Sequence, residues 1–149
     1  MNRLLERLAW QRAQGKCEYC QMPHEYDELP FEVDHILARK HGGATDAQNL
    51  ALACFLCNNR KGPDIAGRDP RTERIVRLFH PRRDKGNRHF QWDGASLTAL
   101  TPIGRATIVV LEINLPNRVG LRQSLIEENI FPPKAATRQP RQHLRLTTR

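Results

Sequence analysis

Two Cys-x-x-Cys pairs constrain the fold of this chain more than any other feature. Cys17 and Cys20 form the first pair, Cys54 and Cys57 the second, and 33 residues separate them. Four thiolates are the ligand set of a closed, tetrahedral structural zinc site. A chain of 149 residues buries only a modest core, so a bound metal that joins two segments would add appreciably to its stability. The sequence therefore predicts a structural Zn²⁺ that ties two distant segments together.

A redox function is the alternative use of Cys-x-x-Cys. It would need a single pair in a thioredoxin-like βαβ context, whereas this sequence has two pairs and no such context.

The expected compartment also favours zinc. No window reaches the 18 apolar residues that a membrane span needs, and charges interrupt the first seven residues. We therefore expect a cytoplasmic protein with no membrane partner, in a reducing compartment where disulfides are rare.

The charge distribution favours a nucleic-acid partner. The net charge is +8 and the isoelectric point is about 9.9, which favours binding to a polyanion. Residues 132–149 contain five Lys and Arg residues and no acid. This segment also lacks apolar periodicity, so we predict one domain over residues 1–133 and a basic, disordered tail over residues 134–149.

The segment between the cysteine pairs contains side chains suited to catalysis. An Asp34-His35 pair is followed by Asn49, and Asn58 comes directly after the last cysteine. Together they offer one carboxylate for a metal, one imidazole that can act as a base, and two amides. Six acids and no Lys or Arg occupy residues 17–34, and a set of carboxylates attracts divalent cations. Of these acids we retain only Asp34 as a predicted ligand, because a solvated loop explains the others equally well.

Local patterns predict two strands and a helix around these residues. Residues 31–36 alternate as a strand, residues 49–53 form a second strand, and a helix runs from residue 57 to 61. The period of two directs Asp34 and His35 to opposite faces, so they can share a site only if the strand ends there. The intervening loop contains Gly42-Gly43, which indicates a turn.

The flanking segments predict helices and one hairpin. Residues 2–14 are predicted as a helix capped by Asn2, with Leu4 and Leu8 in the core. Asp93-Gly94 predicts a hairpin that joins two short strands, with Trp92 in the core. The other predictions are strands at residues 88–92 and 95–100 and helices at residues 71–79, 101–113 and 118–129.

These motifs together resemble an HNH endonuclease, with a ββα-metal motif held between zinc knuckles. They are Cys17-x-x-Cys20, Asp34-His35-Ile36, Gly42-Gly43, Asn49-Leu50 and Cys54-x-x-Cys57-Asn58-x-x-Lys61. The resemblance implies an α+β fold with a ββα-metal core over about residues 17–63. It extends, with lower specificity, to small stand-alone bacterial HNH proteins over about residues 3–133.

The resemblance also implies the role of each site residue. It makes His35 the general base, Asp34 and Asn58 the ligands of a catalytic metal, and Asn49 the residue that orients the His35 ring. Many members have His where this chain has Asn58. An amide oxygen is a harder ligand than imidazole, so Mg²⁺ or Mn²⁺ is the expected catalytic ion.

The expected activity is hydrolysis of phosphodiester bonds in DNA, with RNA as a possible substrate. Contacts to flanking phosphates are expected from four cations: Arg39, Lys40, Arg60 and Lys61. The alternative is a non-catalytic, zinc-stapled module that binds nucleic acid. Such a module needs the zinc and the positive charge but has no use for Asp34, His35 and Asn58 together.

Overall fold

The computed structural model describes residues 1–132, so the predicted tail at residues 134–149 lies outside the described residues. The fold is mixed α+β, as predicted. It contains three two-stranded antiparallel sheets. The elements are α1 (Arg3–Ala13), β1 (Glu32–His35), β2 (Leu50–Ala53), α2 (Phe55–Lys61), β3 (Ala66–Arg68), β4 (Ile75–Arg77), α3 (Gly86–His89), β5 (Phe90–Asp93), β6 (Ser96–Ala99), α4 (Pro102–Leu111) and α5 (Pro116–Glu127).

The β1-β2-α2 unit forms the centre of the molecule. β1 pairs with β2 from Glu32 opposite Ala53 to His35 opposite Leu50, and all four residues of β2 are buried. Cys54 caps α2, because its sulfur accepts a hydrogen bond from the Cys57 amide. The predicted strand, strand and helix are confirmed, and β1 ends at His35, as a shared site for Asp34 and His35 requires.

Helix α1 packs through a different face from the one predicted. Asn2 caps the helix as expected, but Leu4 is 71% and Leu8 37% exposed, so their placement in the core was wrong. The helix instead buries Ala9. Arg12 donates to the carbonyl oxygens of Ala47 and Leu50 at 2.7 and 2.8 Å. These two hydrogen bonds satisfy backbone acceptors beside β2, while Ala9, Trp10 and Ala13 pack against the core.

The predicted helix at residues 71–79 was wrong. Ile75–Arg77 is strand β4, which pairs with β3 at Ala66–Arg68. The turn between them is fixed by Asp69, whose carboxylate accepts from the Arg71 amide and the Thr72 hydroxyl. Asp69 accepts hydrogen bonds from two donors of the turn, and β3 supplies a strand partner. Residues 75–77 are therefore extended and not helical.

The C-terminal elements follow the sequence more closely. The β5-β6 hairpin is confirmed, with Gly94 at a φ of +59°, and Thr101 caps α4. Trp92 is half-buried and packs against the core. The side chain of Arg122 in α5 is fully buried; it donates to the Ala95 carbonyl at 2.7 Å and lies over the Trp92 ring. Arg122 therefore attaches α5 to the hairpin.

Candidate active site

The four cysteines converge on one buried point. Their sulfur atoms all lie within 4.8 Å of one another, and all four residues are buried. The sulfurs of Cys20 and Cys54 are 3.8 Å apart. Tetrahedral zinc with Zn–S bonds of about 2.3 Å places its sulfurs about 3.8 Å apart. The cluster therefore has the ligand type, number and spacing of a structural zinc site.

Backbone amides support the thiolates of this cluster. The Cys17 sulfur accepts from the amides of Tyr19 and Cys20 at 3.4 Å, and the Cys54 sulfur accepts from Cys57 at 3.3 Å. This is the tight turn that the Cys-x-x-Cys spacing predicts. Burial raises the pKa of the Cys17 thiol well above its ordinary value. Ionised thiolates in this environment need a cation, which Zn²⁺ would supply.

Asp34 lies in a buried polar cluster beside the zinc knuckle. Its carboxylate accepts from the Tyr19 hydroxyl at 2.8 Å, and the Lys61 ammonium lies 3.2 Å from Oδ2 and 3.4 Å from Oδ1. The Lys61 ammonium also donates to the carbonyl oxygen of His35 at 3.1 Å. Burial raises the pKa of Asp34, and the positive charge of Lys61 opposes that rise. Lys61 is 2% exposed, so the structure places this side chain on Asp34 and not on the surface predicted to contact phosphates.

The His35 ring contacts the loop that follows β1. Its Nε2 lies 2.8 Å from the Thr45 hydroxyl. Asn49 does not contact the ring directly; its amide oxygen accepts from the Leu37 amide at 2.8 Å, and its amide nitrogen donates to the carbonyls of Leu37 and Ala44 at 2.9 and 2.8 Å. Asn49 thus fixes the loop next to Thr45. Sequence reasoning missed Thr45, although it lies two residues after Gly42-Gly43 in the same loop.

Asn58 in α2 faces the start of β1. Its amide nitrogen donates to the Glu32 carboxylate at 2.9 Å. Glu32 and Asp34 are two residues apart on one strand and so share a face. Sequence reasoning set Glu32 aside as a solvated acid, but the period of two could have singled it out. These carboxylate and amide oxygens are of the type that Mg²⁺ prefers, so the donor chemistry fits the expected cation.

The other predicted cations lie on the surface. Arg39 and Lys40 are exposed in a short 3-10 turn, Arg39–His41, in the loop that contains Thr45. Arg60 is partly exposed, and its guanidinium lies 3.0 Å from the Glu112 carboxylate. Among the predicted phosphate contacts, Arg39 and Lys40 are the nearest to His35 in sequence, and both are exposed.

Comparison with known proteins identifies the central unit. The family model for the HNH endonuclease matches residues 17–64, which contain the four cysteines and the β1-β2-α2 unit. A search of the curated proteins finds no match. None of the helices within residues 1–132 is long and apolar enough to cross a membrane. Residues 17–64 thus resemble the HNH endonuclease family, and the four-cysteine cluster within them fits a zinc site.

Proposed function

We propose that this protein is a metal-dependent DNA endonuclease that hydrolyses phosphodiester bonds with His35 as the general base. The observation that carries the proposal is the position of His35 within the family match. His35 lies at the end of β1, directly after Asp34; its backbone carbonyl accepts from Lys61, and its ring contacts Thr45. A binding module would have no need for an imidazole held in this way.

His35 takes a proton from water in the proposed reaction. When Nε2 carries the proton and donates to the Thr45 hydroxyl, Nδ1 has a free lone pair and can act as the base. His35 takes up one proton of the water as the water oxygen bonds to phosphorus. The P–O bond to the leaving oxygen breaks, and that oxygen takes up a proton from solvent. Asn49 supports this step indirectly, because it fixes the backbone of the loop that contains Thr45.

Asp34 and Asn58 would hold the catalytic Mg²⁺ or Mn²⁺. When bound, this cation would act as a Lewis acid that stabilises negative charge on the phosphate and leaving-group oxygens. Lys61 pairs with the Asp34 carboxylate and prevents an unpaired charge in the protein interior. Glu32 contacts Asn58 and adds negative charge on the same face of β1.

Arg39, Lys40 and Arg60 would position the DNA strand through phosphate contacts. Such contacts fix the register of a strand but do not read its bases. Lys61 is omitted from this set because it is buried against Asp34. The zinc cluster would keep the strand and helix of the site together without taking part in the chemistry.

A nicking assay tests the proposal. Wild-type protein with Mg²⁺ should relax supercoiled plasmid, and His35→Ala should lower the rate by about 10²- to 10⁴-fold, the usual effect of losing a general base. His35→Ala should keep its zinc content and DNA affinity, whereas Asp34→Ala should also lose Mg²⁺ affinity. Cleavage by His35→Ala at the wild-type rate would contradict the assignment of the base. DNA binding without cleavage by the wild type would instead support the zinc-stapled binding module.

A further inference from the structure

A cavity of about 380 Å³ lies between the first zinc knuckle and the β5-β6 hairpin. Its aromatic lining comes from Tyr19, Phe79, Phe90 and Trp92. The volume lies near the lower end of the range for small-molecule sites, so the cavity can take one small ring system but not a duplex. The proposed chemistry at His35 does not use this cavity, since neither His35 nor Asp34 lines it.

The aromatic lining gives the cavity a preferred ligand shape. Phe79 and Phe90 meet edge to face with ring centres 5.1 Å apart, and Phe90 and Trp92 are only half-buried. The guanidinium of Arg122 lies 5.2 Å from the Trp92 ring centre and supports that ring from within the protein. Fixed aromatic rings with accessible surface favour a flat, apolar ligand face.

Polar groups in the lining favour a ligand with hydrogen-bonding edges. Gln21, Asn87 and Gln91 line the cavity and carry amide donors and acceptors. Lys85 also lines it and is exposed, so its ammonium can meet an anionic group at the entrance. A flat heterocycle with polar edges and an attached phosphate matches this combination of groups.

Tyr19 connects the cavity to the candidate active site. It lines the cavity, and its hydroxyl donates to Asp34 at 2.8 Å. A DNA strand bound near Asp34 would therefore be separated from the cavity by the Tyr19 side chain. Of the basic residues in the segment 81–88, Lys85 lines the cavity, and Arg82 forms an ion pair with Glu18, which also lines it.

We propose that this cavity receives one unstacked nucleobase of the bound DNA. The inference rests on the proposed function, and it narrows the substrate to DNA with an unpaired or readily unstacked base near the cleaved bond. Removing a base from a paired stack costs free energy, whereas an unpaired base enters at little cost. Stacking of one base on aromatic side chains contributes about 5- to 150-fold in affinity.

Gly86 allows the cavity to be filled without disturbing the fold. It lines the cavity, and a Cβ atom added there would meet no other atom within 4 Å. Gly86→Phe should therefore place a ring in the open space that the base would occupy. Gly120→Phe is the matched control, because Gly120 is exposed on α5, has the same free space, and does not line the cavity.

The test compares the affinity of the full-length, zinc-loaded protein for two duplexes without added Mg²⁺. One duplex is fully paired and the other contains a single unpaired thymine. Wild type and Gly120→Phe should prefer the second duplex by at least about 5-fold, and Gly86→Phe should bind both equally. With 5-iodouracil at the unpaired position, irradiation should crosslink the base to an aromatic residue of the cavity, as mapped by mass spectrometry.

Equal affinity of the wild type for both duplexes, or a preference that persists in Gly86→Phe, would overturn the inference. The plasmid assay with Mg²⁺ separates this failure from failure of the proposed function. Nicking by the wild type without a preference for the unpaired base removes only the cavity proposal. No nicking by the wild type removes the proposed function as well.

Discussion

At the residue scale, the orientation of His35 depends on a short chain of hydrogen bonds. Asn49 makes three hydrogen bonds to the backbone of Leu37 and Ala44, and Thr45 follows Ala44 directly. The Thr45 hydroxyl then contacts Nε2 of His35. Within the described residues Asn49 makes no hydrogen bond to the ring, so its link to the ring runs through this loop. The prediction that Asn49 orients His35 remains to be tested.

Thr45→Val removes the hydroxyl and keeps the side-chain shape. We expect kcat for plasmid nicking to fall about 5- to 10-fold, the value of one lost hydrogen bond, because the His35 ring loses its partner. Thr45 is exposed, so the melting temperature should stay constant. Thr45→Ser retains the hydroxyl and should restore kcat. A wild-type kcat in Thr45→Val would show that the contact does not position the base.

Asp69 provides a pH-dependent contribution to stability. Its carboxylate accepts from Arg105 at 2.8 and 3.1 Å and from the Thr72 hydroxyl at 2.7 Å. The Arg105 hydrogen bonds lower the pKa of Asp69 well below its usual range. A carboxyl whose pKa is lower in the folded state stabilises the fold above its unfolded pKa of about 3.9, and this stabilisation is lost as the pH falls through the folded pKa.

Asp69→Asn should therefore melt at a lower temperature than the wild type at pH 7, because the amide cannot form the same charged pair. The difference should shrink as the pH falls below about 4, since the unfolded wild-type chain then takes up a proton at Asp69 that the folded carboxylate does not. Thermal unfolding followed by circular dichroism at pH 7 and pH 2.5 measures both values. A difference that stays constant over this range would contradict the assignment.

At the element scale, the loop between β1 and β2 depends on two glycines. Gly42 has a φ of +90°, in the left-handed region that favours glycine. A Cβ atom on Gly43 would overlap the carbonyl oxygen of Leu37 and lie 2.9 Å from the Asn49 amide nitrogen. Gly42 thus allows a left-handed backbone conformation, and Gly43 allows the backbone to approach Leu37 closely. Both glycines lie in the loop that contacts the His35 ring.

Gly43→Ala should move this loop, because the backbone of Leu37 cannot give way without losing its bonds to Asn49. We expect a loss of about 1 to 3 kcal/mol in stability and about 10²-fold in nicking rate. Zinc content should not change, since the loop is remote from the cysteines in sequence. Gly120→Ala is the control and should match the wild type in rate. A Gly43→Ala protein with the wild-type rate would show that the loop does not position the base.

The central unit was predictable because its signals are local. The Cys54 cap and the glycine at the end of α2 set that helix, and β1 and β2 follow from short apolar patterns. The prediction of a helix at residues 71–79 was wrong because the spacing of apolar residues carries no information about Asp69 or about strand β3 as a partner. The placement of Leu4 and Leu8 in the core was wrong for a related reason. Periodicity does not say which side of a helix meets the rest of the protein, and α1 packs through Ala9, Trp10 and Ala13.

The site residues were predictable by type and not by contact. Asp34, His35 and Asn58 lie in the family match, and their carboxylate, imidazole and amide groups were visible in the sequence. The partners of these groups come from other segments. Tyr19 and Lys61 contact Asp34 across 15 and 27 residues of sequence, and such long-range pairings are set by packing. Lys61, the last residue of α2, was therefore predicted to be a surface cation although it is buried.

At the scale of the whole molecule, the zinc cluster also balances charge in the core. Four thiolates and one Zn²⁺ would carry two net negative charges. Arg122 is fully buried and, within residues 1–132, makes no salt bridge to a carboxylate. Burial lowers the pKa of Arg122, and the negative charge of Cys20, Cys54 and Cys57 opposes that change. The four-cysteine cluster, as thiolates, would thus offset a buried positive charge of α5.

The basic segment at residues 134–149 should dominate the salt dependence of DNA binding. It contains five of the Lys and Arg residues and no acid, so it provides +5 of the net +8 charge. If about three to five of these cations meet phosphates, deletion should reduce the slope of log K against log salt by about 3 to 4. Fluorescence anisotropy with a labelled duplex at several salt concentrations measures this slope. His35→Ala is the control and should keep the wild-type slope, because it removes no Lys or Arg side chain. An unchanged slope after deletion would assign DNA affinity to residues 1–133, whose net charge is only +3.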